Sequence, residues 1–291
     1  MRGRQGWWVG AVAVLLAACG GGGQEASSPT SGSAASPSVV TSSSGAAGSS
    51  SSSAASESSA SNPIVERCGL PDAPATPLIF PGPSGSSLIG AQTGSGDRVA
   101  LLLHQTNGDG LCGFWPFMAA AAKEGVRLVA FDLCGYGGSQ CAPGSEAARD
   151  PVAQVRAVVD RLRQEGARSI TLVGASMGGT IAIGSAAEVK ADRVVDLSGP
   201  TSWNGVPDTA KALRELRIPV LVVASPGDTD TDPAALQRAV AASPSRQKAY
   251  VQGPVGMHGV TLLKDIAPED PVTPIGKQVL AFVKDGSLPR G

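Results

Sequence analysis

Ile170-Thr171-Leu172-Val173-Gly174-Ala175-Ser176-Met177-Gly178, followed by an Ala/Ile-rich stretch, decides the fold of this chain. The apolar run to Val173 reads as a buried strand and the stretch after Gly178 as a helix, so Gly-x-Ser-x-Gly falls on a strand-to-helix turn. Small residues let the backbone turn sharply there. Such a turn lifts a serine hydroxyl above the strand ends and aims the following N–H groups at the same spot. The chain holds 38 glycines, so the pentapeptide alone is also compatible with a plain turn of small residues. Its partners must carry the case.

Working outward, Thr76–Phe80 and Ser87–Thr93 read as antiparallel edge strands around the turn cluster Pro81-Gly82-Pro83-Ser84-Gly85. Val99–Leu103 is continuously apolar, as a strand covered on both faces must be. Further strands are expected at 126–131, 170–173, 193–197, 220–224 and 249–251. Helices fit at 116–123, 151–163, after Gly178 to about 189, and at 209–216, 233–242 and 272–283. This alternation predicts an α/β domain with a mostly parallel, doubly wound sheet and helices on both faces. A dinucleotide-binding domain is the competing architecture. It requires a glycine fingerprint after the first parallel strand, and His104-Gln105-Thr106-Asn107-Gly108 does not supply one.

An attacking serine needs a base, and the base needs an orienting acid. The chain has only two histidines, His104 and His258. His258 lies in a Gly-rich loop after the last expected strand, and loops at the carboxyl ends of parallel strands gather on one face. Asp228 follows the preceding strand at its tip and is the candidate acid, with Asp230 as its rival. Asp232 before Pro233 fits a helix N-cap. The Asp-x-Asp-x-Asp spacing shares the start of a calcium loop, but Pro233 stands at its glycine position and no Glu closes it. No metal and no cofactor are expected.

The chain order Ser176, Asp228, His258 is that of the α/β-hydrolase triad, and residues from about 76 to 283 resemble a small α/β-hydrolase of the serine-esterase and dienelactone-hydrolase-like branches. The resemblance implies an oxyanion hole from the backbone N–H of Met177 and of Thr106. Gln105 stands where the family has the glycine of His-Gly and is the alternative donor. His104 itself is expected to be structural. Asp132-Leu133-Cys134-Gly135-Tyr136-Gly137-Gly138-Ser139 resembles the family segment Asp-x-Arg-Gly-x-Gly-x-Ser, with Cys134 in place of the arginine. The short stretch between Ser198 and Thr209 leaves no room for a sizeable lid. Phe114, Trp115, Tyr136 and Trp203 are candidate pocket walls. The implied activity is hydrolysis of small or exposed polymeric carboxylic esters through an acyl-enzyme. Thioester, amide or perhydrolase chemistry, or a non-catalytic cell-envelope role, are the alternatives.

The N-terminal region carries different information. Arg2 and Arg4, a short apolar stretch and Leu16-Ala17-Ala18-Cys19 read as a lipoprotein signal over residues 1–18, with Cys19 as the lipidated mature terminus. The apolar stretch falls short of the roughly 20 residues a membrane span needs. Residues 19–63 are rich in Ser, Ala and Gly and cannot bury enough surface to order themselves, so a flexible tether is expected. Such a coil has an end-to-end distance of roughly 35 Å. The folded domain then runs over 64–291, exported and held on the extracytoplasmic face of a membrane, as a monomer. A net charge of −1 without a basic cluster gives nucleic-acid binding no support. Cys68, Cys112, Cys134 and Cys141 remain as two disulfides. Their positions in the expected loops favour a bond from Cys112 to Cys134 or Cys141.

Overall fold

The computed structural model describes residues 63–69, 75–107, 109–264 and 271–289. The signal, Cys19 and the tether up to residue 62 lie outside them. Among the described residues eight strands form one sheet: β1 (Thr76–Pro81), β2 (Ser87–Thr93), β3 (Arg98–Leu103), β4 (Arg127–Phe131), β5 (Ser169–Ala175), β6 (Arg193–Leu197), β7 (Val220–Ala224) and β8 (Lys248–Gln252). Their spatial order is β1-β2-β4-β3-β5-β6-β7-β8. β2 pairs antiparallel with β1 and β4, and every other pairing is parallel. This is the α/β-hydrolase sheet, mostly parallel and without a lid: only residues 198–208 separate β6 from the next helix.

Among the described residues there are seven α-helices: α1 (Pro63–Cys68), α2 (Trp115–Ala120), α3 (Pro151–Gln164), α4 (Met177–Ser185), α5 (Thr209–Glu215), α6 (Pro233–Ala242) and α7 (Pro274–Asp285). The period-2 alternation of strands divides the core. Val99, Leu101 and Leu103 of β3 pack with α3, α4, α5 and α6. Ala100 and Leu102 face the other way, with Ile64 of α1, α2 and α7. Both faces are covered, which explains the unbroken apolar run of β3. Helix starts follow capping chemistry: Asp150, Asp208, Asp232 and Thr273 each accept a backbone N–H of the first turn.

Two features depart from the sequence reading. α1 had no counterpart among the expected helices. The cysteines pair as Cys68–Cys112 and Cys134–Cys141, so Cys112 is not bonded to either of the two partners favoured above. The reason is that α1 packs beside the turn at Gly110–Phe114 and brings Cys68 to Cys112, with Cα atoms 5.1 Å apart. Cys134 and Cys141 close a small loop of their own after β4.

Candidate active site

Ser176 sits between β5 and α4 with φ 51° and ψ −121°, a conformation a serine adopts only when the surroundings force it. The glycines around it show the force. A Cβ at Gly174 would enter the backbone of Gly178, and one at Gly178 would enter the carbonyl of Leu103. Neither position tolerates a side chain, so the Gly-x-Ser-x-Gly spacing is a packing requirement of this turn. Ser176 N–H is tied to Leu197 C=O at 2.8 Å. Met177 opens α4, where its N–H has no intrahelical acceptor.

Asp228 and His258, from different loops, are in contact. His258 Nδ1 lies 3.0 and 2.8 Å from the two carboxylate oxygens of Asp228. Asp228 is buried, and Asp230 is exposed and only donates its backbone N–H to Asp228 Oδ1 at 3.0 Å. Asp228, not Asp230, is therefore the partner of the imidazole. Asp228, Asp230 and His258 each bring one donor atom within 4.8 Å of the others. The Asp228 carboxylate is nonetheless spent on His258, the arrangement of an imidazole held by a carboxylate. Asp232 caps α6 through Ala235 N–H at 2.9 Å.

The histidine loop is laid against the serine turn. A Cβ placed on Gly259 would lie 3.6 Å from Cβ of Ala175, the residue before Ser176. Among the described residues the Ser176 hydroxyl forms no hydrogen bond that caps α4. The loop itself is fastened by Gly256 N–H to Pro226 C=O at 2.8 Å, and by Thr261, whose hydroxyl donates to His258 C=O at 2.7 Å. Sequence reasoning missed Thr261, although its place three residues after His258 is the spacing of a helix-start hydrogen bond.

The loop after β3 carries His104, Gln105 and Thr106. His104 is fully buried, and burial lowers its imidazole below the usual histidine range. Its Nε2 accepts Leu133 N–H at 2.9 Å, so its Nδ1 carries the proton and donates to Gln105 C=O at 2.7 Å. The Gln105 side chain has another engagement: its Oε1 accepts Val260 N–H at 3.1 Å.

Of the candidate pocket walls, Phe114 and Trp115 are fully buried in the core. Their apolar character served packing, which sequence alone does not separate from a pocket lining. Tyr136 lies edge-on to His104 with ring centroids 4.9 Å apart, and Trp203 is 36% exposed on the loop after β6.

Beneath the site, Asp132 is fully buried and holds the Arg67 guanidinium at 2.7 and 3.1 Å. It also accepts Leu111 N–H at 2.7 Å and Gly138 N–H at 2.9 Å. The cation beside Asp132 thus comes from α1, and Cys134 is bonded to Cys141.

Residues 100–207 match the model of the Alpha/beta hydrolase family. No curated protein sequence matches the chain. Carboxylesterase CesB (YbfK) from Bacillus subtilis superposes with a TM-score of 0.60 at 18% identity, covering 77% of this chain and 96% of its own. Esterase Pf2001 from Pyrococcus furiosus gives a TM-score of 0.57 at 18% identity, with coverage of 76% and 92%. A thioesterase domain from the curacin biosynthetic pathway gives 0.53 at 15% identity, with coverage of 72% and 99%. At these identities the likeness is one of fold.

Proposed function

We propose that this chain, an α/β-hydrolase by fold and by its family match over residues 100–207, is a serine hydrolase of carboxylic esters held at the outer face of a bacterial membrane. The observation that carries the reading is the Asp228–His258 pair, 2.8 Å apart, on a loop packed against the strained Ser176 turn. His258 takes the proton of Ser176 as its oxygen attacks the ester carbonyl. Asp228 holds the imidazole in the tautomer that can accept it and stabilises the imidazolium. The N–H groups of Met177 and Thr106 receive the oxyanion, each such donor contributing about 3 kcal/mol. His258 then protonates the leaving alcohol, and water, deprotonated by the same imidazole, releases the acid from Ser176.

Only residues 198–208 join β6 to α5, which leaves the serine turn uncovered on that side and suits short acyl groups or exposed polymeric esters. The fold does not separate esters from thioesters, since both chemistries occur among its likenesses. The test is hydrolysis of p-nitrophenyl esters beside thioester and amide analogues by the full chain and by Ser176→Ala. The ester rate is expected to lead and to fall by roughly 10⁶-fold in the variant. Unchanged turnover by Ser176→Ala ends the reading.

Anchoring rests on the lipobox-like Leu16-Ala17-Ala18-Cys19. Metabolic labelling with a radioactive fatty acid in a bacterial host is expected to mark the chain and to be abolished by Cys19→Ala. An unlabelled wild-type chain would remove the membrane from the proposal.

A further inference from the structure

Three loops meet at the candidate site: the turn at Ser176, the loop after β3 that carries Thr106, and the loop after β8 that carries His258. Catalysis requires that they keep a common register. One flank of the histidine loop is tied to the acid, through Gly256 N–H to Pro226 C=O and through His258 to Asp228. The opposite flank reaches the loop after β3 through a side chain: Val260 N–H donates to Gln105 Oε1 at 3.1 Å, across 155 residues of sequence.

The neighbourhood of this bond is tight. Gly259, between His258 and Val260, has φ +56°, and a Cβ there would enter Gln105 Oε1 on one side and approach Ala175 on the other. Gly259 is thus fitted between the Gln105 amide and the residue preceding Ser176. Gln105 is itself anchored, because its backbone carbonyl accepts the Nδ1 proton of buried His104. Where the family resemblance puts a glycine, no side chain exists to span this gap. The departure from His-Gly to His-Gln therefore has a geometric counterpart in this chain: an extra brace.

We propose that Gln105 is a positioning residue of the site, its side-chain carbonyl holding Val260 N–H and thereby setting the seat of His258 against Ser176. The inference rests on the serine-hydrolase reading above. With the acceptor removed, the loop keeps its tie to Asp228 and loses its tie to the oxyanion side. His258 then swings about the Asp228 contact, and small misplacements of a catalytic group cost up to about 100-fold in rate.

The experiment compares wild type, Gln105→Met, Gln105→Glu and Ser176→Ala as full chains, with p-nitrophenyl acetate as substrate. Active sites are counted by fluorophosphonate titration, and thermal melts fix a temperature at which each variant is folded. Methionine keeps the length and removes the acceptor. Glutamate keeps an acceptor and adds charge. Gln105→Met is expected to lose about 10- to 100-fold in kcat per titrated site with KM within about twofold. Gln105→Glu is expected to stay within about threefold of wild type and to move the acidic limb of its kcat/KM profile to higher pH, since a carboxylate beside the loop favours the imidazolium. Wild-type kcat and pH profile in Gln105→Met would overturn the proposal. So would a Gln105→Glu protein as damaged as Gln105→Met, and this arm decides the matter if the methionine variant does not fold. Inactivity of Ser176→Ala keeps either failure separate from failure of the serine-hydrolase reading.

Discussion

Asp132 and Asp196 are both fully buried near the carboxyl ends of strands in the same sheet, and their polar partners differ. Each lies against glycines that leave it room: Gly110 and Gly137 for Asp132, Gly179 and Gly199 for Asp196. Asp132 has a guanidinium and two backbone N–H groups. Asp196 has a single partner, Gly199 N–H at 2.7 Å, and its Oδ2 has none. Burial accordingly pushes the Asp196 carboxyl up to about 7, against the one N–H that favours its charge. A buried carboxyl to which no counter-charge is brought takes up a proton more readily than one in water.

The contrast can be broken from either side. The larger effect is expected at Asp196. Its folded pKa stands above the unfolded value of 3.8, so the stabilisation it brings is complete below pH 3.8 and is lost as pH rises to about 7. That span is worth roughly 4 kcal/mol as an upper limit. Asp196→Asn removes the slope, so the stability of the variant relative to wild type should climb from pH 4 to pH 8 in urea titrations. A difference that does not vary with pH would show that Asp196 is ionised throughout. The second test converts Asp132 into an orphan. Arg67→Met leaves a buried carboxylate without its cation and is expected to cost about 3 kcal/mol, the lower end for such pairs, because the guanidinium is 29% exposed. A loss below about 1 kcal/mol would mean that the two backbone N–H groups satisfy Asp132 by themselves.

The same contrast marks what could be read from sequence. All eight strands stood out, because a buried parallel strand is a local apolar run and an edge hairpin carries a Pro/Gly turn. The turn at Ser176 and the Asp228–His258 contact were legible because Ser176 and Asp228 lie just past such runs and histidines are few. α1 was not: six residues hold too little periodicity to be told from the segment before them. With α1 hidden, the Arg67–Asp132 pair and the Cys68–Cys112 bond were hidden too, as both join it to distant loops. Gln105 was visible as a departure from a motif, but its partner lies 155 residues away and only folding brings the two together. Contacts made along the chain leave a trace in the pattern of residues, and contacts made across the fold do not.

The Cys68–Cys112 bond has a mechanical consequence. α1 is the first of the described helices, and the crosslink joins it to the loop that follows β3. A pull at Pro63 can unwind α1 only as far as Cys68. There the load passes through the disulfide to the turn at Gly110–Phe114, and β1, β2 and β3, which lie between the two cysteines in the chain, are taken out of its path.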